Sequence, residues 1–118
     1  MPRPEHFTPP NPEHDNAHVL MPEWLKPSLP SLYSTEHESD PTVICKYFTP
    51  DSNWTWYGLE FDGTDLFFGY VEGFEKELGY FSLAELQAAR GPLGLQIERD
   101  LSFNPTPLSV LRRDDQTP

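Results

Sequence analysis

The sequence predicts an α+β fold: an antiparallel β-meander of about four or five strands packed by one main helix, behind a Pro-rich N-terminal arm. Three observations predict it. Apolar, β-rich runs recur between residues 42 and 81, separated by short turn clusters. The run Ser82-Leu83-Ala84-Glu85 carries a helix capping box, and Gly91-Pro92 supplies a stop. Eight of the 14 prolines fall in the first 30 residues, where large apolar groups are scarce.

The elements follow in chain order. Residues 1–20 show neither a helical nor a strand period, and their prolines remove backbone donors and favour extended geometry, so they read as a flexible arm. From Met21 to Tyr33, Trp24, Leu25, Leu29 and Leu32 recur at helical spacing, but Pro27 and Pro30 limit them to short turns. Residues 34–41 form a polar connection. The first strand is expected near 42–49, from Thr42-Val43-Ile44-Cys45, and the second near 54–62. Asp62-Gly63 is a strong hairpin signal leading into a third strand near 65–72, and a fourth follows near 77–81.

In the expected helix near 83–90, the Ser82 hydroxyl satisfies an early backbone N–H. Residues 95–100 predict a final short strand with Ile97 inward, and Leu108, Val110 and Leu111 a last packed turn. The resulting division is an arm over 1–20, one α+β domain over 21–111 and a polar tail over 112–118.

Composition narrows the function classes. The 118 residues hold 19 Asp and Glu against 8 Lys and Arg, a net charge of −11. That balance leaves no continuous basic footprint for generic nucleic acid and disfavours an anionic membrane surface. No apolar run approaches the roughly 18–20 residues of a membrane span, and the N-terminus lacks the apolar stretch of a signal peptide. A single cysteine, Cys45, excludes an internal disulfide. A cytoplasmic setting is expected.

No constellation announces catalysis, and no catalytic residue, metal site or cofactor is assigned. His6, His14, His18 and His37 lie outside the expected sheet; His14 and His18 have the spacing of a helical metal pair but no helix around them. Cys45 alternates with Val43 and Tyr47 and reads as a buried, inert thiol. Phosphate-cradling glycine motifs are absent. Arg99, between Glu98 and Asp100, reads as a structural ion-pair partner.

The candidates for partner contact are aromatic and acidic. Trp54 and Trp56 share one strand face, with Tyr57, Leu59 and Phe61 expected on the other. Glu60, Asp62 and Asp65 cluster at the expected hairpin, and Glu72 and Glu75 near the next connection. Aromatics on a sheet also stack bases, but residues 51–100 hold ten acids against Lys76, Arg90 and Arg99.

The blocks from Lys46 to Gly63, from Phe67 to Leu86 and from Gly91 to Phe103 carry a family resemblance. They resemble a bacterial family, domain of unknown function 2958, over about residues 20–111. The resemblance implies a setting on plasmids and other mobile elements and brings no active-site assignment. The leading expectation is a non-enzymatic acidic interaction module whose partner is a protein with a basic surface, in its sharpest form by imitation of DNA. The alternatives are a small carboxylate- or metal-dependent hydrolase and a single-stranded nucleic-acid binder.

Overall fold

The computed structural model describes residues 15–114. Most of the Pro-rich stretch, with His6 and His14, lies outside the described residues, as do residues 115–118. The elements are β1 (Thr42–Val43), β2 (Cys45–Phe48), β3 (Thr55–Phe61), β4 (Leu66–Glu72), β5 (Lys76–Ser82), α1 (Leu83–Ala88), β6 (Glu98–Arg99), β7 (Thr106–Pro107) and α2 (Leu108–Asp114).

The main sheet is antiparallel with five strands in the order β5-β4-β3-β2-β6. Its four consecutive strands form the expected meander. The short strand β6 returns to the far edge, pairing Arg99 with Tyr47. The strand expected at 42–49 divides at Ile44, because β1 turns aside to pair with β7 as a separate two-stranded sheet. The helix expected at 83–90 ends at Ala88.

Turn chemistry fixes the β3–β4 hairpin. Asp62 accepts the N–H groups of Thr64, Asp65 and Leu66 at 2.7–3.0 Å, and Gly63 adopts a positive φ of 91°. At the next junction the Ser82 hydroxyl accepts the Glu85 N–H at 3.2 Å, as its capping box predicts. Asp65 reaches across from the hairpin to the same helix start. It accepts from the Ser82 hydroxyl at 2.7 Å and the Ala84 N–H at 2.8 Å, joining α1 to the β3–β4 turn.

Both sheet faces are covered. Cys45, Tyr47, Phe61, Phe67 and Phe81 line one face, under Leu20, Leu25, Leu29, Leu86 and Ile97. The opposite face carries Val43, Tyr57, Leu59 and Tyr70 under Leu108, with Phe68, Phe103 and Leu111 around them. Each large apolar side chain buried in this way contributes about 1.5–3 kcal/mol. A β-bulge decides who faces where. The β3–β4 register shifts between Gly58 and Glu60, so Phe61 turns to the face of Trp56. Strict alternation had placed Phe61 with Tyr57 and Leu59; the inserted residue corrects that.

Residues 15–20 pack on the body. Leu20 is buried, and its carbonyl accepts the Tyr47 hydroxyl at 2.7 Å. The buried Arg99 guanidinium grips Asp15 through two bonds of 2.5 and 3.1 Å and donates to the Val19 carbonyl at 3.0 Å. Arg99 therefore pairs with a distant acid rather than its neighbours Glu98 and Asp100; Asp100 lies 3.6 Å from Lys46. No helix among the described residues is long and apolar enough to cross a membrane.

Candidate protein-binding site

The β4–β5 hairpin ends in Gly73-Phe74-Glu75, closed by a Gly73 N–H to Glu75 carbonyl bond of 2.9 Å. Phe74 is 95% exposed. Its ring meets Trp54 edge-on at 5.3 Å, and Trp54 stacks on Trp56 at 5.8 Å. Gly73 is what lets them meet, since a Cβ there would fall 2.2 Å from the Trp54 ring. Trp54, Phe74, Glu75 and Glu77 border a shallow hollow of about 240 Å³. An apolar tip with carboxylates beside it suits a partner that is apolar at its centre and basic at its rim.

A second, larger hollow of about 440 Å³ opens on the other sheet face, between the 33–39 segment and β5. Phe68 and Leu108 line its apolar part, while Glu36, Glu38 and Arg112 border it. Its wall carries Tyr33 and Tyr80, exposed by 58% and 51%; a mutual hydrogen bond holds the Tyr80 phenol above its ordinary pKa. Glu60 sets this wall. Its carboxylate is buried and accepts the Tyr33 N–H at 2.8 Å, the Thr35 N–H at 2.9 Å and the Thr35 hydroxyl. These bonds support Tyr33 in the left-handed region, at φ 68°. The Arg112 guanidinium lies over the Tyr70 ring at 5.4 Å.

The seven sequence candidates separate into groups. Trp54, Trp56 and Glu75 meet at the β4–β5 tip. Glu72 stands at the end of β4 and accepts the Tyr57 hydroxyl at 3.4 Å. Asp62 and Asp65 belong to the opposite end of β4, where their carboxylates hold backbone. Bonds from backbone N–H groups keep the Asp62 carboxyl below its ordinary pKa. Glu60 lies in the interior. Sequence reasoning missed Phe74, Tyr33, Leu78 and Tyr80. Phe74 alone had a local signal: a large apolar residue within a glycine- and acid-rich turn.

Cys45 is buried beneath the sheet, where desolvation raises its pKa to about 11. A thiol held neutral there is a poor nucleophile. His18 and His37 are exposed, and no group of three or more His, Cys, Asp or Glu residues among the described residues could hold a metal ion.

These features define a small α+β protein with an antiparallel meander and an acidic, aromatic hairpin tip. The chain belongs to the family described as Protein of unknown function (DUF2958), whose model matches residues 26–115. No curated protein and no solved structure matches it.

Proposed function

We propose that this protein is a non-enzymatic interaction module, working in the bacterial cytoplasm as an accessory of mobile elements, that binds a partner protein through the β4–β5 hairpin tip. The observation that carries the reading is Phe74. A phenyl ring almost wholly in water, braced by Trp54 and flanked by Glu75, is an anchor without a socket among the described residues. The net charge of −11 favours a partner with a basic surface and speeds its approach.

The competing enzymatic reading needs carboxylates that converge with free oxygens. Glu60, Asp62 and Asp65 instead direct theirs to backbone groups at separate turns. The test is affinity capture from the bacterial host with the wild-type chain, Phe74→Ala and Glu75→Lys, then binary titration of whatever the wild type retains. The expected result is one stoichiometric protein, held by the wild type and weakened about tenfold or more by each variant. Equal retention by all three would overturn the reading.

A further inference from the structure

The hairpin tip continues into a sheet edge with a defined chemistry. β5 closes the sheet order, and no strand among the described residues pairs with its outer side. Its register against β4 shows which groups face outward. The Leu83 N–H bonds the Asp65 carbonyl and the Gly73 N–H bonds the Glu75 carbonyl, so odd-numbered residues of β5 turn their N–H and C=O toward β4. Leu78 and Tyr80, at alternate positions, point their N–H and C=O away from the sheet. Their side chains are 40% and 51% exposed and lie along the 440 Å³ hollow. On the other face, a Cβ at Gly79 would meet nothing within 4 Å, so the strand's flank is open there too.

We propose that the outer edge of β5 receives an extended, basic segment of a partner protein as an added strand. This rests on the interaction reading above and names the form of the partner. Strand addition supplies main-chain bonds, and the alternating side chains of the added strand supply selectivity. One set of those side chains would enter the hollow beside Tyr33, Leu78 and Tyr80, where Glu36 and Glu38 favour cations. The other set would pass Glu77 and the Phe74 tip. The same charge opposes a second copy of this chain: two molecules at −11 would bring like acids edge to edge.

Backbone amide exchange of the full chain, followed by NMR, tests the proposal. The probe is a heptapeptide alternating arginine with valine; controls replace arginine by glutamate or N-methylate alternate peptide bonds. In the free protein the Leu78 and Tyr80 amides should exchange fast, and those of Gly79 and Phe81 slowly. Saturating arginine peptide should slow Leu78 and Tyr80 by about tenfold or more. Glutamate peptide should not bind, and N-methylation on the paired edge should abolish binding. Joint replacement Glu75→Lys and Glu77→Lys should weaken the arginine peptide about tenfold while leaving the fold intact.

Saturable binding without slowing of Leu78 and Tyr80 would overturn strand addition and leave the hairpin-tip reading standing. Absence of arginine-peptide binding would overturn it as well. So would slow exchange of these amides in the free protein together with dimeric sedimentation, which would assign the edge to a second copy. The interaction reading itself fails separately, through a retained partner that ignores Phe74→Ala.

Discussion

Single residues bear the closest reading of the physics, and Arg99 is the clearest. Its guanidinium is 4% exposed and is neutralised by Asp15, across most of the chain's length. Removing one partner of a buried pair leaves the other charge stranded, at about 3–5 kcal/mol. Asp15→Asn should therefore lower the unfolding free energy by about 3 kcal/mol in urea titrations. Deletion through residue 18 should destabilise in the same way, although composition alone predicts a neutral loss. The hydrogen bond from Arg99 lowers the Asp15 pKa below its usual 3.8. The corresponding stability is present above that value and lost as pH falls through the lower folded pKa; Asp15→Asn should flatten this acid limb. Cys45 carries the opposite sign. Its folded pKa is raised to about 11 from 9.0, so its contribution is full below pH 9 and disappears as pH rises toward 11. Urea midpoints at pH 8 and 10.5 should diverge less in Cys45→Ala than in wild type. The burial of Cys45 was legible from its alternation with Tyr47, whereas Val43, expected beside them, belongs to β1 and lies on the opposite face. The role of Glu60 was not, because its partners Tyr33 and Thr35 lie far back along the chain and meet it only after folding.

Among the elements, those specified by neighbouring residues were legible and those specified by distant ones were not. Strands expected at 54–62, 65–72 and 77–81 appear at Thr55–Phe61, Leu66–Glu72 and Lys76–Ser82, because Asp62-Gly63 and Gly73 mark their ends locally. Ser82 caps α1 as its sequence signature requires. The bulge at Gly58–Glu60 has no such signature; it depends on how β3 meets β4, and it changes the face of Phe61. The split at Ile44 is likewise non-local, since β1 leaves the main sheet for a partner more than sixty residues later. Glycines of the central strands give a test of the bulged region. Gly58, Gly69 and Gly79 stand side by side in the register. A Cβ at Gly69 would lie 1.8 Å from the Tyr57 carbonyl oxygen, whereas one at Gly79 enters open space. Gly69→Ala should destabilise by about 1–3 kcal/mol as backbone and neighbours shift, while Gly79→Ala should be neutral or slightly stabilising by reducing unfolded-state freedom. Parallel chemical denaturation of the two variants checks the contrast.

At the scale of the whole molecule, charge decides what can approach. Eight Lys and Arg face 19 Asp and Glu, and several of those cations already have work inside the fold. Arg99 is buried against Asp15, Lys46 lies near Asp100, Arg90 donates to carbonyls at the end of α1, and Arg112 covers Tyr70. Generic DNA binding relies on counterion release by cations that track phosphates, and these four cations among the described residues are each engaged within the fold. The exposed Phe74 and the Trp54 pair present stacking surfaces worth about 1–3 kcal/mol per base. Stacking acts only after approach, and approach is opposed by eleven excess negative charges, screened beyond about 8 Å at physiological salt. Single- and double-stranded oligonucleotides should therefore show no saturable binding at micromolar protein in anisotropy titrations. Lowering the salt should not rescue it, because weaker screening strengthens the repulsion. Submicromolar, salt-sensitive binding to generic DNA would contradict the acidic interaction module and require a local basic surface that outweighs this field. A partner with a basic face reverses the sign of the electrostatic term: the field then attracts it, and under the proposed reading Phe74 and the β5 edge would supply contacts once it arrives.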